Sequence, residues 1–146
     1  MSGKGIRTDS APAPVGAYPH ARRVGELLFL SGVGPRQPGS NAMPGNLHDA
    51  DGRLRAYNIE AQCPQLFANV RAVLEASGAH WADLIELTVL LTDMQRDFAT
   101  YNRLYAEYFA GVDACRTTLG ISALPTPIAI ELKCIAALRP QKNPPA

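Results

Sequence analysis

Two charged side chains lie in the most hydrophobic stretch of the chain, residues 115–133, CRTTLGISALPTPIAIELK. Arg116 begins one β-like run, and Glu131 lies inside the next, between Ile130 and Leu132. A guanidinium binds a carboxylate through paired hydrogen bonds, and a carboxylate can accept a proton from water. Because a Pro-x-Pro turn joins the two runs, we expect adjacent strands whose charged side chains handle a small carboxylate and a hydrolytic water.

The alternative role for Arg116 and Glu131 is a structural ion pair at a subunit interface, which is the commoner use of such a pair. Three neighbouring features favour a binding pocket instead. They are a strand end that offers a hydroxyl and bare amides, a polar residue among aromatic ones, and a phenol near the start of a hairpin. The residues concerned are Ser31 with Gly32, Asn102, and Tyr18.

The histidines and cysteines show no spacing that predicts a metal site. The histidines are isolated, and the three cysteines form an odd set without a Cys-x-x-Cys pair. With no signal peptide, this pattern favours reduced thiols in a cytoplasm. We therefore predict that the chemistry uses no metal and no cofactor. The histidines are His20, His48 and His80, and the cysteines are Cys63, Cys115 and Cys134.

Length and charge narrow the class of protein. The chain has 146 residues, 47% of them hydrophobic, which suits one domain over residues 1–146. Its net charge of +1 gives no electrostatic basis for binding nucleic acid. No apolar run approaches the roughly 20 residues that span a membrane. We expect residues 1–12 to form a flexible arm and residues 139–146 a frayed tail.

Hydrophobic periodicity predicts the elements that must position these residues. Helical steps begin near Ile59 and stop at Ser77, although Pro64 allows a start nearer Gln62. Asp97 is the predicted cap of a second helix that Gly111 ends. Residues 35–53 are dense in Pro, Gly, Asn and Asp and predict a long loop. The predicted strands are 6–8, 18–24, 27–30, 84–92, 116–123 and 128–137.

The resulting order of elements is β, β, β, α, β, α, β, β. Two helices cannot cover both faces of such a sheet, so we expect both on one face, in an α+β fold. The other face would expose strands as apolar as 84–92, and oligomerisation is the economical way to cover it.

Five segments, in this order, resemble the RidA/YjgF family of enamine and imine deaminases: PVGAYPHA, LFLSGVGP, DFATYNRLYAEYF, RTTLGISALP and IAIELKCIA. The resemblance extends from Ala13 to Leu138. It implies a chorismate-mutase-like α+β fold, with a mainly antiparallel six-stranded sheet and two helices on one face. It also implies a homotrimer, or a hexamer built from trimers, with active sites between subunits.

The resemblance implies a role for each candidate residue. Arg116 would grip the substrate carboxylate, and Glu131 would position the hydrolytic water. Thr118 stands where many relatives have a cysteine, so a thiol nucleophile is not part of the prediction. Cys115 should point away from Arg116, because side chains alternate along a strand. The residues that would line the cleft between subunits are Tyr18, Ser31, Gly32 and Asn102.

The loop SGVGPRQPGSNAMPGN and the segment YPHARRVGELLFLSG resemble the branch of the family that acts on 2-aminomuconate. The leading prediction is hydrolytic deamination of this enamine dicarboxylate to 4-oxalocrotonate and ammonia, in meta-cleavage degradation of aromatic compounds. Its distal carboxylate needs a second cation, and Arg36 is the first candidate, with Arg22, Arg23 and His20 as the others. One alternative is a broad-specificity 2-iminobutanoate and 2-aminoacrylate deaminase, and a second is a non-catalytic carboxylate-binding trimer.

Overall fold

A computed structural model of the chain describes residues 2–140. The first helix, α1, covers Ile59–Ala76, and the second, α2, covers Met94–Tyr108. A short 3₁₀ turn, Trp81–Asp83, precedes the central strand. No helix of the described part is both long and apolar enough to cross a membrane. The strands are β1 Ser2–Ile6, β2 Ala21–Val24, β3 Leu27–Leu30, β4 Asn46–His48, β5 Leu54–Tyr57, β6 Leu84–Leu91, β7 Cys115–Gly120 and β8 Ile130–Ala137.

Six strands form the main sheet in the order β1-β2-β3-β8-β6-β7. All neighbours are antiparallel except β6 and β7. The predicted α+β class, with two helices and a mainly antiparallel six-stranded sheet, is confirmed. The prediction that Arg116 and Glu131 stand on adjacent strands is wrong, because β6 lies between β7 and β8. The connection over residues 121–129 crosses the end of β6 instead of closing a hairpin.

The two faces of the sheet differ in burial. In β8, Ile130, Leu132 and Cys134 are fully buried, whereas Glu131 between them is half-buried. The buried side is covered by α1 and α2, so we call it the helix face. We call the opposite side the open face. It leaves large apolar side chains exposed, as expected if both helices pack on one side of the sheet. They include Val24, Leu27, Phe29 and Leu119.

Helix α1 begins at Ile59, the earlier of the two predicted starts. The side chain of Asn58 accepts hydrogen bonds from the amides of Glu60 and Ala61, which caps the first turn. Pro64 lies inside the helix and removes the bond to the carbonyl of Glu60, an exposed residue that water can reach. Ser77 is the C-cap of the helix, and the next residue, Gly78, has the left-handed backbone, with φ +76°, that commonly follows a helix end.

Asp97 does not cap α2. The cap is Asp93, whose carboxylate accepts from the amide of Arg96 at 3.0 Å. Asp97 lies one turn further on, 2% exposed, and its two oxygens accept from the guanidinium of Arg96 at 2.8 and 2.7 Å. Both aspartates lie near the start of α2. Asp93 has the extended backbone that an N-cap needs, whereas Asp97 lies within the helix.

Three further predictions need correction. The N-terminal arm contains strand β1, which ends at Ile6 and pairs with β2, so the strand predicted at 6–8 lies too late. The long loop contains the hairpin β4–β5, whose turn Asp49 organises by accepting from the amides of Asp51 and Arg53. The strands predicted at 18–24, 116–123 and 128–137 are shorter in the structure. Of the predicted tail, residues 141–146 lie outside the described residues.

Candidate active site

Glu131 opens into a cleft of about 80 Å³, which we call the Glu131 cleft. Its walls come from the N-terminal segment 11–20, from the end of β3, and from the loop that leads into β8. The structure thus brings together most of the residues that the sequence singled out. The predicted residues that line the cleft are Tyr18, His20, Ser31, Gly32, Arg36 and Glu131.

The carboxylate of Glu131 lies directly against Gly32. A Cβ added to Gly32 would come within 2.8 Å of both Cδ and Oε2 of Glu131, so only glycine leaves the carboxylate in this place. Within residues 2–140, Glu131 makes no side-chain hydrogen bond or ion pair. Burial raises the pKa of Glu131 above the usual range of a glutamate. The result is an unpaired carboxylate that is a better base than an exposed one.

Two hydroxyl groups of the cleft, those of Ser31 and Tyr18, also make hydrogen bonds within its walls. The hydroxyl of Ser31 donates to the carbonyl of Pro19 at 2.7 Å, so it can only accept a bond from a ligand. The hydroxyl of Tyr18 accepts from the amide of Val15 at 3.3 Å and keeps its own proton for a ligand. Ser31 was expected to expose a free hydroxyl, but its bond to Pro19 leaves it only the role of an acceptor.

Of the four candidate cations for a distal carboxylate, Arg36 lines the Glu131 cleft with its guanidinium. Arg22 and Arg23 lie on β2 and do not line the cleft. His20 does, but its ring is already used by backbone groups. Its Nε2 lies 2.8 Å from the carbonyl of Pro12, and the amide of Thr8 donates to its Nδ1 at 3.3 Å. The neutral ring with the proton on Nε2 satisfies both contacts.

Arg36 is held at the edge of the cleft from two sides. Its guanidinium donates to the side chain of Asn41 at 2.8 Å and to the carbonyl of Ala13. Its loop is fixed by Asn69 of α1, whose Nδ2 donates to the carbonyls of Gly34 and Arg36 at 2.9 and 2.8 Å. Asn69 is not among the residues predicted from the sequence, although an asparagine among the apolar positions of a helix is a recognisable signal.

Arg116 lies elsewhere, on the helix face of the edge strand β7. It is in register with the fully buried Leu87. Its Cζ is 4.5 Å from the ring centroid of Tyr105 and 5.8 Å from that of Tyr101. Within residues 2–140 its guanidinium has neither a hydrogen-bond acceptor nor an ion-pair partner. Asn102 follows Tyr101 on α2, and its side chain is exposed.

The chain therefore contains two separate groups of candidate residues. Glu131 is in register with Leu90 on the open face, whereas Arg116 is in register with Leu87 on the helix face. One intervening strand also separates β8 from β7 by about 10 Å. Glu131 and Arg116 of one chain thus point to opposite sides of the sheet, and Arg36, not Arg116, is the arginine that lines the cleft with Glu131.

The thiols do not supply a nucleophile to either group. Cys63 and Cys134 are buried, and burial raises the pKa of each thiol to about 12. Cys115 is exposed on the opposite side of β7 from Arg116, as strand alternation predicts. Thr118 shares the side of Arg116, and its hydroxyl is buried without a hydrogen-bond partner. In the described part of the chain, no three His, Cys, Asp or Glu side chains are grouped to hold a metal ion.

Comparison with known proteins identifies a family. The family model described as Endoribonuclease L-PSP matches residues 8–138. Reactive Intermediate Deaminase A, chloroplastic, of Arabidopsis thaliana is 35% identical over 133 residues, which cover 91% of this chain and 65% of that protein. A RutC family protein of Pyrococcus horikoshii is 37% identical over 131 residues, 90% of this chain and 94% of that protein.

Two solved E. coli structures have the same fold. The YjgF gene product is 31% identical, with a TM-score of 0.78 over 94% of this chain and 100% of the other. TdcF, solved with bound serine, is 28% identical, with a TM-score of 0.79 over the same shares of the two chains.

Proposed function

The chain belongs to the Endoribonuclease L-PSP family, to which its RidA and YjgF relatives also point, and on this premise we propose that it hydrolyses small enamine and imine carboxylates to 2-oxo acids and ammonia. One observation carries the proposal. Glu131 and Arg116 are half-buried charges that have no ion-pair partner among residues 2–140, and they do not pair with each other. A half-buried charge is costly unless something else binds it.

The proposed reaction uses each group in a simple role. Arg116 binds the C1 carboxylate, and protonation on carbon converts an enamine to its imine. Glu131 takes a proton from water while the water oxygen bonds to C2 of the protonated imine, which gives a neutral carbinolamine. Glu131 returns this proton to the amino nitrogen and then takes the proton of the C2 hydroxyl as C2=O forms and the C–N bond breaks, so that ammonia leaves with the 2-oxo acid as the second product. The amide of Gly32 beside Glu131, which has no acceptor within residues 2–140, is a further donor for the carboxylate or the developing hydroxyl.

The relatives favour broad specificity for the substrate. The Arabidopsis relative is named a deaminase of reactive intermediates, and TdcF was solved with serine, a small amino acid with one carboxylate. Neither name points to 2-aminomuconate. We therefore place 2-iminobutanoate and 2-aminoacrylate first among the proposed substrates.

The direct test is a coupled assay with freshly generated 2-iminobutanoate. The purified protein should release ammonia and 2-oxobutanoate well above the spontaneous rate. If the protein binds 2-oxobutanoate but accelerates the hydrolysis of neither 2-iminobutanoate nor 2-aminomuconate, the non-catalytic carboxylate-binding alternative is correct and the deaminase proposal is wrong.

We further propose that the working unit is a trimer in which Arg116 and Asn102 of one chain meet the Glu131 cleft of the next. The exposed apolar side chains of the open face support such an assembly. The opposite orientation of Arg116 and Glu131 supports it as well, because only a second chain can bring both to one ligand.

Mixing two inactive chains tests this arrangement. Arg116→Lys and Glu131→Gln chains, co-refolded in equal amounts, should recover activity, because random assembly gives both wild-type residues to about a quarter of the sites. Recovery near a quarter of the wild-type rate is the expected result. The matched control mixes Arg116→Lys chains with the double variant, in which no site is complete. Light scattering that shows an active monomer would contradict the arrangement.

A specific observation keeps 2-aminomuconate as a second candidate substrate. Arg36 lines the Glu131 cleft and is held there by Asn41 and Ala13, which leaves other N–H groups of its guanidinium available. A six-carbon dicarboxylate bound at C1 by Arg116 would place its second carboxylate near this cation.

Arg36→Gln should therefore discriminate between the two substrates. The variant should raise KM for 2-aminomuconate by on the order of 10–100-fold, because a charged partner of the distal carboxylate is lost. KM for 2-iminobutanoate should change by less than about twofold. Arg22→Gln, which removes an arginine outside the cleft, is the matched control. An equal effect of Arg36→Gln on both substrates would remove the support for 2-aminomuconate.

The family description also names an activity on RNA. The electrostatics favour the deaminase instead, since the net charge is only +1.

A further inference from the structure

An aromatic column lies behind Arg116. The ring of Tyr105 stacks on Phe109 with 4.3 Å between centroids and 12° between planes. Phe109 in turn contacts Trp81 at 4.6 Å and Phe67 at 5.4 Å. Phe109 is only 5% exposed, so the column is anchored in the core between α1 and α2. Arg116 lies at the outer end of this column, 4.5 Å from the centroid of Tyr105.

The guanidinium of Arg116 needs such a support. Strand β7 is the edge of the sheet, and the described residues give the guanidinium no acceptor that would fix its orientation. A free arginine side chain loses conformational entropy when a ligand orders it, and that loss weakens binding. An aromatic face attracts the cation and limits the positions that it can take before the ligand arrives.

We propose that Tyr105 is a positioning residue, whose ring holds the guanidinium of Arg116 ready to bind the substrate carboxylate. The inference rests on the proposed function, in which Arg116 binds that carboxylate. Tyr105 acts through Arg116 and not on the substrate. Its ring carries the effect, because its hydroxyl makes no hydrogen bond within residues 2–140.

The geometry also distinguishes Tyr105 from its neighbour Tyr101. Tyr101 is fully buried and its ring is 5.8 Å from Cζ of Arg116, so its replacement would disturb the core. Tyr105 is closer to Arg116 and only partly buried, so its ring can be replaced at lower cost to folding. Burial raises the pKa of Tyr105, which keeps the phenol neutral at physiological pH.

Three variants on one helix test the proposal. Tyr105→Leu should raise KM for 2-iminobutanoate and Kd for 2-oxobutanoate by on the order of tenfold, with kcat changed by less than about twofold. Tyr105→Phe keeps the ring, so its KM, Kd and kcat should each stay within about twofold of the wild-type values. Tyr108→Leu is the matched control, because it removes a ring of α2 that contacts Phe67 and not Arg116. Binding of the neutral amide of 2-oxobutanoate should be unchanged in every variant.

Melting temperature and molar mass are measured on the same preparations. If Tyr105→Leu does not fold, Tyr105→Met supplies the same loss of the ring with a longer apolar side chain. The inference is overturned if Tyr105→Leu binds 2-oxobutanoate normally while Arg116→Lys does not, a result that leaves the proposed function intact. It is also overturned if Tyr105→Phe is as impaired as Tyr105→Leu. Normal binding and turnover in Arg116→Lys would overturn the proposed function as well.

Discussion

Arg116→Lys should lose most of its activity although it keeps the positive charge. Lysine is a point charge without the planar fork that binds a carboxylate through two hydrogen bonds. Loss of one charge-assisted pair from a desolvated site costs about 2–5 kcal/mol, and every 1.4 kcal/mol is about tenfold in kcat/KM. The measurement is kcat/KM for 2-iminobutanoate together with Kd for 2-oxobutanoate, and both should be impaired.

The chain offers a matched control for this substitution. Arg71 lies with its Cζ 4.7 Å from the ring of Trp81, which repeats the contact between a cation and an aromatic ring at an arginine that belongs to neither group of site residues. Arg71→Lys should therefore leave kcat/KM within about twofold of the wild type. If Arg116→Lys turns over normally but melts early or fails to assemble, Arg116 is a structural residue of the interface.

Glu131→Gln should slow turnover by about 10²–10⁴-fold, the range typical of general acid–base catalysis. Glutamine has nearly the same shape and can still hydrogen-bond, so the fold and the assembly should persist. It cannot take a proton from water. Kd for 2-oxobutanoate should hold or improve, because the repulsion between Glu131 and the bound carboxylate is lost. Glu26→Gln, an exposed glutamate of the β2–β3 turn, is the control.

The pH profile gives this test a second readout. Below its pKa, Glu131 is protonated and cannot accept a proton, so the rate should fall as the pH falls through that pKa. Since burial raises the pKa of Glu131, the fall should begin at a higher pH than an exposed glutamate would give. The Glu131→Gln variant should lack this acidic limb. An early-melting variant that deaminates normally would show that the base lies elsewhere.

The sequence identified Arg116 and Glu131 as candidate site residues but did not predict correctly how their strands are arranged in the sheet. Arg116 and Glu131 are recognisable because a charge inside an apolar strand needs a reason, and this argument requires no topology. Alternation along β7 also placed Cys115 opposite Arg116. The order of the strands could not be predicted in the same way. A connection as long as residues 121–129 can close a hairpin or cross a strand, and local residue types do not distinguish the two.

The candidate site was only partly predictable for a related reason. The residues of the Glu131 cleft are near each other because β3 pairs with β8, a contact between distant parts of the sequence. Asn69 acts on backbone carbonyls more than 30 positions away, and its partners could not be named before the fold was known. The support of Arg116 by Tyr105 depends on how α2 lies over β7, which periodicity alone does not determine.

The orientation of Arg116 and Glu131 to opposite sides of the sheet has a consequence for the cell. In the proposed trimer each polypeptide contributes to two sites, so one doubly defective subunit would disable two sites and spare the third. A damaged gene copy expressed beside an intact one would then lower activity by more than its share of the protein. A newly synthesised polypeptide would likewise be inert until it met its partners, which makes catalysis dependent on concentration.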